Sequence, residues 1–411
     1  MIAFKEFSLE NGLQVIVHED PTVEIAVMNI LYNVGSRDEH ADKTGFAHLF
    51  EHLMFGGSAN IPNYDEPLQL VGGENNAFTN TDITNYYLTL PASNIETGFW
   101  LESDRMLSLS FDPEVLDVQQ KVVIEEFKQR YLNQPYGDVW LKLRPLAYQV
   151  HPYQWATIGK EISHIENATM QDVKDFFYTH YVPNNAILVV AGKVTFDQVK
   201  QLTEKWFGPI PSGRTLKRIL PVEPAQLARR TLTVEAKVPA DAFYKAWHMP
   251  GRFHEDYYTI DLLSDILSRG QSSRLYQQLV KERELFTSVS SFVMGTIDPG
   301  LFVISGRLKP GISHEHAEAE VNAIVRNVIT AGVHEDELTK VKNQAEVTLE
   351  FGEVELMNRA MNLAFAKLSG NANLANEEGA KIQAVRLHDI IRVASTVLRE
   401  GNSNTLYYKA V

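Results

Sequence analysis

The chain has 411 residues, 44% of them hydrophobic and 22% charged, with a formal net charge of −14 and no cysteine. That length exceeds one ordinary core and predicts two domains of a soluble globular protein. The acidic balance argues against a nucleic-acid partner, and the lack of cysteine excludes disulfides, thiolate ligands and a cysteine nucleophile.

The opening Met1-Ile2-Ala3-Phe4-Lys5-Glu6-Phe7 has neither the basic region nor the apolar core of a signal peptide. No apolar run approaches membrane-spanning length. With Met1 as the natural start the expected location is the cytoplasm; a trimmed leader would make it the periplasm. Residues 4–10 and 13–18 flank Asn11-Gly12, a type I′ pair, and predict a hairpin. A strand over 24–34 follows. Next comes a helix between Thr44, the expected N-cap, and the stop at Gly56-Gly57. A strand over 85–90 precedes helices over 95–109, 113–131, 138–149 and 169–180, a short buried strand over 186–191, and a helix over 196–206. Gly208-Pro209-Ile210-Pro211-Ser212-Gly213 and the basic, Pro-containing sequence to Pro224 read as a linker. The pattern then restarts with strands over 231–238 and 243–248, helices over 257–267 and 273–284, and strands over 287–293 and 302–307. A mostly helical remainder ends in a strand near 405–409, with a polar loop expected over 371–378. Strands followed by helices, twice over, predict two α+β domains. Their expected bounds are 1–210 and 228–411, with 211–227 as the linker.

His48-Leu49-Phe50-Glu51-His52 is the stretch with the most chemistry. On a helix, positions i, i+3 and i+4 share one face. His48 and His52 then point the same way, and two imidazoles so placed can share a zinc ion. Glu51 beside them is placed to take a proton from the water that such an ion activates. Phe46, Leu49, Phe50 and Leu53 recur at helical spacing, so the helix should be buried. The order H-x-x-E-H defines the inverzincin group. A catalytic zinc usually takes three protein ligands. The candidates for the third are Glu125 and Glu126, in Val122-Val123-Ile124-Glu125-Glu126-Phe127. They lie on adjacent faces of one helix, and spacing alone does not choose between them.

Several segments, in order, resemble the M16 metallopeptidases. These are Gly45-Phe46-Ala47-His48-Leu49-Phe50-Glu51-His52-Leu53-Met54-Phe55-Gly56-Gly57-Ser58, Gly72-Gly73-Glu74-Asn75-Asn76-Ala77-Phe78-Thr79, Asp82-Ile83-Thr84-Asn85-Tyr86, Pro183-Asn184-Asn185 and Gly270-Gln271-Ser272-Ser273-Arg274-Leu275. The resemblance covers nearly the whole chain. It implies two homologous α+β domains, each a mainly antiparallel sheet packed with helices, closing like a clam around a chamber. It also implies one Zn²⁺ per chain and hydrolysis of peptides or unfolded polypeptide segments. The family's third ligand falls on Glu126, which completes the set His48, His52 and Glu126 with Glu51 as general base. Asn76, Ala77 and Phe78 match a family edge strand to which an extended peptide can add through main-chain hydrogen bonds.

Two positions depart from the family pattern. An acidic residue often sits seven positions before the third ligand; here it is Gln119. In the second domain the family's Arg and Tyr, which hold the substrate backbone and the tetrahedral intermediate, are replaced by Val280 and Thr287; Arg283 and Phe286 would substitute only if the local register differed. This implies a dimer, in one form with a homologous Arg/Tyr-bearing subunit. The alternative is a non-catalytic scaffold subunit. His151-Pro152-Tyr153 resembles a structural loop. His164, His180, His248, His254, His314, His316, His334 and His388 lack motif context and are expected mostly at the surface.

Overall fold

The Asn11-Gly12 hairpin joins β1 (Lys5–Ser8) to β2 (Gln14–Glu19) in antiparallel register, Lys5 opposite Val17. Its turn is not the expected two-residue type I′. The amide of Leu9 donates to Leu13 O, and that of Gly12 donates to Leu9 O, with Gly12 at φ 91°. A three-residue loop closed by a left-handed glycine results. Asn11 is buried instead of lining the turn, and its Nδ2 donates to the carbonyls of Phe207 and Ile210 at 2.8 and 2.9 Å.

This computed structural model describes residues 1–411, which separate into two compact units. The first comprises Met1–Lys128, Trp155–Leu220 and Glu350–Glu377. Its remaining strands are β3 (Ile25–Tyr32), β4 (Glu74–Thr79), β5 (Thr84–Pro91) and β6 (Ala186–Gly192). Its helices are α1 (Phe46–Leu53), α2 (Asp65–Leu70), α3 (Ile95–Leu107), α4 (Pro113–Phe127), α6 (Ile162–Glu166), α7 (Met170–His180), α8 (Phe196–Trp206) and α12 (Leu356–Lys367); α5 falls in the second unit. The sheet order is β1-β2-β6-β3-β5-β4, with β2 and β6 parallel and the other pairs antiparallel. Alternation divides its faces. Ile16, Val27, Leu31, Ile187, Val189 and Ala191 pack under Leu356, Ala360, Leu363 and Ala364 of α12. The opposite face carries Tyr86 and Leu88 toward α1 and α3, which approach closely: a Cβ at Gly98 would lie 3.2 Å from Leu88 Cδ1.

The second unit comprises Gln129–Gln154, Pro221–Leu349 and Glu378–Val411. Its strands are β7 (Arg230–Ala236), β8 (Ala242–Met249), β9 (Phe286–Met294), β10 (Gly300–Leu308) and β11 (Ser403–Ala410). Its helices are α5 (Val139–Ala147), α9 (Tyr257–Ser268), α10 (His314–Ala331), α11 (Glu335–Gly352), α13 (Leu374–Ala384) and α14 (Leu387–Val397), with α11 and α13 running across its bounds. The predicted helix over 273–284 is a widened, π-helical stretch, Tyr276–Glu282. The predicted loop over 371–378 is half wrong, since α13 starts at Leu374. The sheet order is β7-β11-β8-β10-β9, with β7 and β11 parallel. Along β8, Phe243 and Trp247 face α9, α10 and α14, while Ala242, Tyr244 and Ala246 face Val139, Leu143 and Ala147 of α5.

Leaving out β1, both sheets place their strands in the order first, last, second, fourth, third, with the same parallel pair. Two sheet-and-helix domains of one topology are what duplication of a single α+β unit produces.

Candidate metal centre

Helix α1 carries the His-x-x-Glu-His set. Phe46, Ala47, Leu49, Phe50 and Leu53 are buried, and Phe50 stacks on Tyr181 at 5.0 Å. Tyr86 Oη donates to Phe50 O at 3.4 Å. This packing turns the remaining face, with His48, Glu51 and His52, outward. The expected cap is not the observed one. Gly45 occupies the N-cap position at φ 86°, where a Cβ would lie 2.6 Å from Ile158 O. Thr44 Oγ1 is used elsewhere, accepting from Lys160 N at 2.7 Å and lying 2.8 Å from His164 Nδ1.

Helix α4 supplies the carboxylate. Asp112 caps it by accepting from Glu114 N at 2.8 Å, and Pro113 takes the first helical position. Val123 and Phe127 are buried, which orients the rest of the last turn. Glu125 and Glu126 part company there. The Glu125 side chain is 61% exposed and pairs with Lys128 at 2.7 Å. Glu126 is 17% exposed and turns toward α1. Its Oε2 lies 3.1 Å from His48 Nε2 and 3.6 Å from His52 Nε2. One ligand atom from each of His48, His52 and Glu126 falls within 4.8 Å of the others. Gln119 lies two turns before Glu126 on the same helix.

These residues fit a zinc ion. Bonds of about 2.1 Å to nitrogen and oxygen put tetrahedral ligand atoms about 3.4 Å apart, and the two separations from Glu126 bracket that spacing. His48 lies between two carboxylates, with Nδ1 3.5 Å from Glu51 Oε2 and Nε2 against Glu126. Burial lowers its pKa, but the bonds to Glu126 and Glu51 outweigh burial and hold it up at about 9. The two carboxylates thus make this position favourable to positive charge. Burial pushes Glu51 up, yet His48 and the Thr79 hydroxyl prevail and hold it below the usual carboxylate range, so it is ionised at neutral pH.

Strand β4 borders this centre and is the last strand of its sheet, bonded only to β5. It carries Asn76, Ala77 and Phe78. Asn76 and Phe78 are exposed, and the Ala77 amide donates to Asn76 Oδ1 at 2.8 Å. In the second unit, Val280 packs on the core and Thr287 is exposed on β9, where its Oγ1 donates to Arg307 O at 3.2 Å. Arg283 pairs with Glu320, and Phe286 is fully buried. The expectation of surface histidines holds for His254, His316, His334 and His388 only. His314 is buried, and burial lowers the pKa of both His180 and His248.

Glu39 was not legible in the sequence as part of this region. Its Oε2 accepts from Gly45 N at 2.9 Å and its Oε1 from Ala47 N at 2.8 Å, at the start of α1. Burial pushes its carboxyl up to about 8 despite those two amides. No local pattern marks a cap six residues upstream of its helix.

A helix-borne His-x-x-Glu-His set completed by a glutamate from a second helix is a metallopeptidase arrangement of the inverzincin kind. Comparison with known proteins agrees. Residues 14–159 match the family described as Insulinase (Peptidase family M16), and residues 167–345 match the Peptidase M16 inactive domain. The chain belongs to the M16 peptidase family. It is 28% identical to the zinc protease PqqE of Helicobacter pylori, over 98% of this chain and 92% of that protein. It is 24% identical to an uncharacterized zinc protease, YmxG, of Bacillus subtilis, over 96% of each. The crystal structure of a protease from Helicobacter pylori superposes with a TM-score of 0.93 at 28% identity, covering all of both chains. The periplasmic protease PqqL from Escherichia coli shares the fold at TM-score 0.81 and 16% identity, with 98% of this chain matching 47% of that one. No helix here is long and apolar enough to cross a membrane.

Proposed function

We propose that this protein is a zinc-dependent endopeptidase acting on peptides or unfolded polypeptide segments. The observation that carries the reading is the convergence of His48, His52 and Glu126, with Glu51 alongside, next to an edge strand bonded on one side only. His48, His52 and Glu126 would hold the ion. When bound, zinc supplies Lewis acidity to a water and to the scissile carbonyl. Glu51, ionised, accepts the proton of the attacking water and returns it to the leaving nitrogen. Asn76, Ala77 and Phe78 on β4 hold the substrate extended by strand addition. The zinc proteases among the relatives support this reading.

A second reading has its own support. Val280 and Thr287 supply no guanidinium or phenol to the tetrahedral intermediate, and loss of one preorganised donor typically costs about 10²–10³-fold in rate. A dimer with an Arg/Tyr-bearing homologue would restore those groups, with this chain contributing the zinc site. Without such a partner the chain is weakly active or a scaffold.

Metal content and peptide cleavage test the proposal together. Wild type is expected to hold one zinc per chain. Glu51→Gln should keep the metal and lose about 10²–10⁴-fold in hydrolysis. Glu126→Gln should lose the metal, while Glu125→Gln should not. Near wild-type cleavage by Glu51→Gln removes the general base, and zinc lost from Glu125→Gln instead of Glu126→Gln reassigns the third ligand. Activity that rises only on adding an Arg/Tyr-bearing homologue supports the heteromer.

A further inference from the structure

Helix α1 is eight residues long and starts on Gly45, which has no side chain to cap it. A helix that short does not hold itself, and its first amides need partners from elsewhere. Glu39 supplies two of them. One carboxyl oxygen serves the N-cap amide of Gly45 and the other the amide of Ala47, the residue just before His48. Glu39 is 8% exposed. A carboxyl presents two oxygens on a flat fork, one for each amide.

Glu39 is itself firmly anchored. The amides of Ser36 and Arg37 donate to the carbonyls of Asn80 and Thr81 at 3.2 and 3.0 Å. Arg37 pairs with Asp82 at 3.0 Å, Arg218 with Asp38 at 2.6 Å, and Trp155 Nε1 donates to Ser36 O at 2.8 Å. Residues 80–82 form the turn that ends β4. The segment bearing Glu39 is thus tied to the proposed docking strand, and its carboxyl group grips the helix that bears His48, Glu51 and His52.

We propose that Glu39 is a positioning residue that sets the rotation and axial height of α1 relative to β4 and to Glu126. It touches neither metal nor substrate. Each helical residue turns the face by about 100° and rises about 1.5 Å, and a ligand set must be held to about 0.5 Å. A slackened first turn spoils the 3.1 and 3.6 Å approaches to Glu126 before it unfolds the helix. This role rests on the metal centre proposed above, but the grip on the helix does not.

The test compares full-length Glu39→Gln with Leu363→Ala, which damages the core on the opposite face of the sheet. Glutamine keeps the size but offers one acceptor for two amides. Three quantities are read: the zinc dissociation constant by competition with a chromophoric chelator, the visible spectrum of the cobalt-substituted protein, and hydrogen exchange of residues 45–53 in metal-free protein. Glu39→Gln is expected to raise the dissociation constant about 10–100-fold, as loss of an outer support of a metal site does. It should also alter the cobalt bands and speed exchange in α1 at least about tenfold, the scale of one lost hydrogen bond. Leu363→Ala should do none of these at a comparable loss of melting temperature. Glu39→Asp keeps the two-oxygen carboxyl but shortens the reach, and is expected to behave like Glu39→Gln. Wild-type zinc affinity, cobalt spectrum and α1 exchange in both Glu39 variants overturn the proposal and leave the peptidase reading standing. Absence of zinc from the wild type, with faster α1 exchange in Glu39→Gln, overturns the peptidase reading and upholds the grip on α1.

Discussion

Glu125 and Glu126 are adjacent and chemically identical, yet only one turns toward the histidines. The burial of Val123 and Phe127 sets the rotation of the last turn of α4, and Glu126 alone follows that face inward. His180 shows the same control by surroundings. Burial drops its pKa from 6.5 to about 4, with Asp38 opposing and Arg218 assisting. A depressed histidine is neutral in the folded state while the unfolded chain takes up a proton. Its contribution is therefore intact above pH 6.5 and is lost as pH falls from 6.5 toward 4. At pH 5 that costs up to about 2 kcal/mol. In denaturant titrations at pH 7 and pH 5, His180→Phe is expected to lose less stability than wild type by up to about this amount. Equal losses would show that His180 does not govern acid sensitivity.

At the scale of elements, the centre needs a helix, a second helix and a strand edge in register. Strand β4 is bonded on one side only, and the Ala77 amide is occupied by its neighbour's side chain, Asn76 Oδ1. An amide so placed points away from β5, since ladder bonds alternate along a strand. Proline at an edge position facing outward is tolerated. Ala77→Pro is therefore expected to fold with little change in melting temperature. It should lower kcat/KM about tenfold or more, because a docked peptide loses a donor worth about 1–1.5 kcal/mol. Proline at Phe78, whose amide alternation assigns to β5, should destabilise the fold instead. Unchanged kcat/KM in Ala77→Pro would remove β4 as the docking edge.

At the scale of the molecule, each sheet is roofed by a helix from the other half of the chain. In the first unit the roof is α12, from beyond residue 350; in the second it is α5, from before residue 150. The linear division at 211–227 and the spatial division therefore differ in kind, although the chain does pass from the first unit to the second at Leu220–Pro221. A fragment ending at residue 227 lacks Leu356, Ala360, Leu363 and Ala364 and leaves one face of its sheet bare. Such a fragment is expected to aggregate, and to become soluble when residues 350–377 are supplied with it. Leu363→Ala in the full chain should cost about 2–5 kcal/mol. A soluble, cooperatively unfolding 1–227 fragment would show that α12 is dispensable to the first unit.

The sequence by itself determined the elements and the chemistry carried within one of them. His48, Glu51 and His52 lie within five residues, so helical periodicity alone puts them on one face. Strands such as 186–191 and helices such as 196–206 are local hydrophobic patterns and were readable as such. Only the tertiary structure decided what depends on residues far apart. It separated Glu126 from Glu125 through packing of α4 against α1. It moved the cap of α1 from Thr44 to Glu39, because Thr44 is taken by Lys160 and His164. It also made β4 an edge and revealed one strand order in both units, relations among strands that no local window contains. Periodicity reports which way a side chain faces along its own element; which group it then meets is set by long-range packing.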